Sequence, residues 1–130
     1  MGSPNERAYN LEFNIANPQL NTPDVLRFLV RDTNVNQNEL NVPVNLVTGQ
    51  WYHIAAVRTH NTSTLYLNGQ VIGAQTAGNN INTGTGGIAA LGRLANLNAF
   101  DARFLAGRLD EVVFYNRALT PREIGQLASV

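Results

Sequence analysis

Nine carboxylates and two histidines supply the acid–base chemistry of this 130-residue chain, and their spacing limits what they can do. Retaining hydrolysis of a glycosidic bond needs two carboxyls roughly 5 Å apart, one as acid and one as nucleophile. Asp110 and Glu111 are adjacent on a run that reads as a strand, so they point to opposite faces and cannot form that pair. His53 and His60 lack the spacing of a metal-binding pair, and a chain without cysteine has neither a thiolate site nor a disulfide framework. Ser3, Ser63 and Ser129 fall at a terminus, a turn and a helical tail, none of them a nucleophile elbow. All nine cations are arginine, which excludes Schiff-base lysine chemistry. Gly84-Thr85-Gly86-Gly87 has the look of a phosphate loop, but no helical pattern follows it, so it reads as a hairpin approach. These residues point away from an enzyme.

Binding chemistry is better represented. Asn96, Asn98 and Asp101 share one long loop and offer oxygens to a calcium ion or to sugar hydroxyls, with a solvated turn as the plain alternative. Asn61-Thr62-Ser63 satisfies the glycosylation pattern. Around the single tryptophan, strand parity puts Trp51, His53, Ala55 and Val57 on one face and Tyr52, Ile54, Ala56 and Arg58 on the other. Both faces are partly apolar, as expected of a central strand with one side in a core and the other lining a shallow concave surface. Tyr52, Tyr66 and Arg58 are the candidates for an accessible face that stacks on sugar rings and bonds their hydroxyls. His53 reads as a hydrogen-bonded structural residue.

The elements that must position these groups are short strands. Hydrophobic residues make up 44% of the chain and charged residues only 14%, and turn-rich clusters recur between β-branched and aromatic runs. Tyr9–Ile15 alternates, Val25–Arg31 follows, and Leu40–Leu46 carries Pro43, which predicts an edge strand. Trp51–Thr59 comes next, then Thr64–Leu67 and Gln70–Ile72 joined by Asn68-Gly69, the pair a type I′ hairpin turn demands. Ile88–Leu91 and Leu105–Tyr115 are the last strands expected. Thr120-Pro121-Arg122-Glu123 is a capping box, predicting one helix from Pro121 to about Ala128. The expectation is all-β: one domain over residues 4–130, an antiparallel β-sandwich with a short C-terminal helix, after an expression scar at Met1-Gly2-Ser3. Net charge is zero, which excludes the basic surface of a nucleic-acid binder, and no apolar run is long enough to insert into a membrane.

Three segments carry a more specific likeness. They are Gly49-Gln50-Trp51-Tyr52-His53-Ile54-Ala55-Ala56-Val57, then Leu65-Tyr66-Leu67-Asn68-Gly69, then the run from Phe104 to Leu119 with Glu123-Ile124 behind it. In order and spacing they resemble a laminin-G-like jelly roll of the concanavalin A-like lectin and glucanase superfamily. The resemblance implies that Trp51 is a core anchor at a strand start. It also implies that Asp110 could help hold a structural calcium, the rival being an Asp that accepts hydrogen bonds from nearby backbone or Arg108. The Glu-x-Asp-x-x-Glu run of the superfamily's glucanases is missing. The family's opening strands have no counterpart here. Since they normally pair with the last strand, their absence predicts an open edge and self-association.

The function expected on these grounds is a non-catalytic carbohydrate-binding or adhesion module of a larger extracellular or cell-surface protein. Its partner would be a glycan or a surface protein, and calcium is the one candidate cofactor. The rival readings are an assembly module that forms a homo-oligomer through its open sheet edge, and an accessory domain of a glycoside-processing enzyme.

Overall fold

The computed structural model describes residues 9–14, 21, 23–34, 36–81, 90–92 and 104–130. Six strands and one helix lie within them: β1 (Tyr9–Asn14), β2 (Val25–Arg31), β3 (Gln37–Pro43), β4 (Ile54–Thr59), β5 (Thr62–Leu67), β6 (Gln70–Thr76) and α1 (Pro121–Ala128). They form two three-stranded antiparallel meanders, β1-β2-β3 and β4-β5-β6, which meet where β3 lies against β5 and β6. With the single C-terminal helix this is the all-β sandwich expected of a jelly roll.

Alternation decides which side of each sheet faces in. Leu26, Phe28 and Val30 on β2, Leu40 on β3 and Leu65 on β5 form the buried core, with Phe13, Val42, Ile54, Ala56, Leu67 and Ile72 packed around it. Each such side chain contributes about 1.5–3 kcal/mol on leaving water. On the other face of the first sheet, Arg27 of β2 lies directly opposite Glu12 of β1 and donates to it from Nε at 3.1 Å. The same guanidinium lies 3.6 Å from Glu39 of β3. One face is therefore greasy and the other bears an ion-paired row.

The two sheets approach so closely that one position admits no side chain. A Cβ on Gly73 of β6 would stand 2.5 Å from Val42 Cγ2 of β3. At the β5–β6 turn, Asn68 (φ 50) and Gly69 (φ 81) take the two left-handed conformations of a type I′ turn. Helix α1 seats on this turn, since a Cβ on Gly69 would lie 3.2 Å from Ala128 Cβ.

The sequence expectations fare unevenly. β2, the hairpin and α1 fall where they were predicted. β3 starts and ends three residues earlier than the expected Leu40–Leu46, because Gln37, Asn38 and Glu39 already pair with Arg31, Val30 and Leu29, and Pro43, lacking an N–H, ends the ladder on an edge strand. Ser63, expected in a turn, is buried within β5. Of the strand expected at Ile88–Leu91, Ile88 and Ala89 lie outside the described residues, and Ala90 and Leu91 are not in a strand. The largest correction concerns Leu105–Tyr115, which forms no strand: the described residues from Leu105 to Tyr115 run as exposed, unpaired chain. β-propensity without a neighbouring strand does not make a ladder.

Candidate functional site

Trp51, expected in the core, stands outside it. The last turn of the loop before β4 leaves the indole 65% exposed. Tyr52 fastens that loop. Its hydroxyl accepts from Val47 N at 2.8 Å and donates to Gln50 Oε1 at 3.2 Å. His53 closes the other side, its N–H donating to Asn68 Oδ1 at 2.9 Å and its carbonyl accepting from Asn68 N at 2.8 Å. The side chain of His53 does not follow the expectation of a hydrogen-bonded residue, for its buried Nδ1 has no partner among the described residues. Held at both ends, the loop presents a fixed aromatic surface with the Gln50 amide beside it.

Arg58 and Tyr66, expected on an accessible face, are not available there. Arg58 shares its face with the core residues Ile54 and Ala56, and its guanidinium is fully engaged. Nε donates to the His60 carbonyl at 3.0 Å and Nη1 to Ser63 Oγ at 2.8 Å, while Nη2 reaches the Ala77 and Asn79 carbonyls at 2.8 and 2.9 Å. Burial pulls its pKa down, and the charge of Asp32 opposes that. Tyr66 points to the opposite face from Leu65, yet is only 5% exposed, so no sugar can stack on it.

Asp32 is the residue that spacing did not reveal. It is 1% exposed and sits at an isolated bridge to Ile81. Its Oδ1 accepts from Asn34 N and Asn36 N at 2.9 and 3.0 Å, and its Oδ2 from Asn79 N at 3.3 Å and Asn38 Nδ2 at 3.4 Å. Burial raises its pKa, but these amide donors outweigh that and hold the carboxyl below its usual value. With Arg58, Asp32 ties the β2–β3 loop, the β4–β5 turn and the segment after β6 into one polar knot. Alternating Asn34, Asn36 and Asn38 was the visible signal; which carboxylate they surround was not.

Asp110 is exposed, and its Oδ1 accepts from Glu111 N at 2.8 Å. Calcium asks for six to eight oxygens. Among the described residues no group of three or more acidic, histidine or cysteine side chains gathers anywhere. Asn96, Asn98 and Asp101 lie outside the described residues. A groove of about 320 Å³ runs between the chain before α1 and the helix itself, but its charged members, Arg117 and Glu123, bond to each other at 2.7 and 3.0 Å.

The segment before that helix carries a second surface. Phe104 and Phe114 are 72% and 67% exposed, and Leu109, Val112 and Val113 are exposed too. Among the described residues, no backbone–backbone hydrogen bond joins residues 106–119 to another segment, apart from the Thr120-capped helix start. Phe114 lies beside Tyr9 of the first sheet, with ring centroids 6.4 Å apart. Exposed apolar side chains gathered along one segment are the kind of patch that interaction surfaces present, though Gly107, Arg108, Asp110 and Glu111 interrupt them here.

Comparison with known proteins adds the family. The sequence profile of a laminin-G-type family, described as the concanavalin A-like lectin/glucanases superfamily, matches residues 2–125. No curated protein matches the sequence. Among solved structures the chain is similar to an S-layer domain-containing protein from Clostridium thermocellum ATCC 27405, with 20% identity and a TM-score of 0.48. That similarity covers 93% of this chain and 63% of the other, so the chain spans less than two thirds of its neighbour's length.

Proposed function

The chain belongs to the concanavalin A-like lectin/glucanases superfamily, and from that premise we propose that it is a non-catalytic carbohydrate-binding or adhesion module of a larger extracellular or cell-surface protein. The exposure of Trp51 carries this reading. An indole with one face in solvent is the surface on which the C–H face of a sugar ring docks, and a neighbouring amide such as that of Gln50 bonds its hydroxyls. The loop is already held by Tyr52 and Asn68, so little ordering cost remains on binding.

Against catalysis stands the arrangement of the described carboxylates. Glu12 and Glu39 share the Arg27 guanidinium, Glu123 is taken by Arg117 and the helix cap, and Asp32 is enclosed by amide donors. None of these is poised as a general acid beside a nucleophile.

Calorimetry against a panel of oligosaccharides tests the reading. Binding is expected for the intact chain and is expected to fall at least about tenfold in Trp51→Ala, the usual weight of a stacked aromatic anchor. Binding that survives Trp51→Ala unchanged would remove Trp51 from the site. A second reading, assembly through an open edge, is favoured by the exposed apolar run of residues 104–115.

A further inference from the structure

Resting on that second reading, we propose that residues 104–114 pair antiparallel with the same segment of a second copy of this chain, in the register that sets Leu109 opposite Leu109. The run Phe-Leu-Ala-Gly-Arg-Leu-Asp-Glu-Val-Val-Phe is self-complementary about its centre. In this register Phe104 faces Phe114, Leu105 faces Val113, and Ala106 faces Val112. Arg108 faces Asp110 in both halves of the pair, and Gly107 leaves room opposite Glu111. Opposite charges and aromatic pairs directly across two strands are the favourable contacts of a sheet. A slip of two residues one way sets Arg108 against Arg108, and a slip the other way sets Asp110 against Asp110. A slip of one residue leaves Asp110 opposite Gly107 in one direction, and in the other sets Asp110 against Leu109 while Arg108 meets Glu111. Charge therefore disfavours the two-residue slips, and setting Leu109 against Leu109 rather than against Asp110 favours this register over the one-residue slip.

In the single chain the segment bends at Ala106-Gly107 and at Glu111, so pairing requires it to straighten. Leu105 N donates to the Gly92 carbonyl at 2.8 Å, so that edge of the segment is turned toward the protein's own loop. In an extended strand, peptide groups two residues apart point to the same side. Once the segment straightens in phase with Leu105, those of residues 106, 108, 110 and 112 point to the opposite edge, where a second chain can reach them. Arg108 and Asp110 become hydrogen-bonded pairs, and Leu109 becomes the close, non-hydrogen-bonded pair on the twofold axis. Glu111, held at φ 48 in the single chain, is a non-glycine residue in the left-handed region and becomes extended on pairing. A twofold contact of one segment with itself closes as a dimer and leaves no open end for a fibre.

The full 130-residue chain contains no cysteine, so a single introduced thiol can only cross-link two copies. Leu109→Cys is expected to form a disulfide-linked dimer on mild oxidation, because opposed Cα atoms at that position fall within disulfide reach. Thr48→Cys, on an exposed loop, is the control and is expected to stay largely uncross-linked. Sedimentation without any thiol reads the charges: Arg108→Asp is expected to weaken the dimer about tenfold, and adding Asp110→Arg to it is expected to restore the affinity. A monomer at every concentration overturns both this proposal and the assembly reading. A dimer that ignores Arg108→Asp and leaves Leu109→Cys uncross-linked overturns the pairing and leaves the assembly reading standing.

Discussion

Arg58 shows how a side chain suited to binding a ligand is taken up by the fold. Its three nitrogens hold one side-chain hydroxyl and three carbonyls from segments up to 21 residues away. An ammonium cannot span that set, since Lys presents a compact charge in place of a planar fork. Arg58→Lys is therefore expected to cost about 1–3 kcal/mol by urea unfolding, the weight of losing charge-assisted bonds to groups that stay partly buried. Gly73→Ala is expected to cost a similar amount, about 1–3 kcal/mol, because its Cβ must displace Val42 across the sandwich. Strand parity grouped Ile54, Ala56 and Arg58 on one face of β4, which starts after Tyr52, yet it could not say which face looks inward, since both carry apolar residues. That ambiguity put Arg58 at the surface, and the family likeness put Trp51 in the core, whereas the structure leaves Trp51 exposed and Arg58 bonded into the fold. Asp32 was hidden for a different reason. Its partners Asn79 and Ile81 lie almost fifty residues away, and single-sequence spacing does not report such contacts.

At the scale of elements, local chemistry that closes on itself was readable. Asn68-Gly69 makes its turn from its own φ preferences, and the capping box around Thr120 and Glu123 starts α1 without outside help. Glu123 also receives two bonds from Arg117, chiefly through which its pKa falls from the usual 4.5 to about 2. A depressed carboxylate stabilises the folded state above its unfolded pKa and loses that contribution as pH falls through the folded one. The seat of α1 is thus expected to be at full strength above about pH 4.5 and to weaken down to about pH 2. Helical circular dichroism between those limits checks it, and Glu123→Gln is expected to abolish the pH dependence. Residues 105–115 show the limit of local reading. Their alternation and β-branched content specify a strand, but a strand exists only beside another strand, and none among the described residues lies next to them.

For the molecule as a whole, stability rests on the seam between β2, β3 and β5. Leu65 is fully enclosed there, and Leu65→Ala is expected to cost about 2–5 kcal/mol and to lower the unfolding temperature of both sheets together. Because no ligand set of several carboxylates gathers among the described residues, chelation with EDTA is expected to leave the melting curve unmoved; a clear drop would place calcium in the account. Among the described residues the sandwich leaves exposed an aromatic loop and a partly apolar run, the surfaces through which the proposed module would bind. The single tryptophan makes the central claim directly measurable, since every photon of indole emission comes from Trp51. Titrating the chain with oligosaccharides should shift that emission to shorter wavelength in a saturable way as sugar covers the ring. Emission that stays at its solvent-exposed wavelength across the whole panel would contradict carbohydrate recognition at this loop.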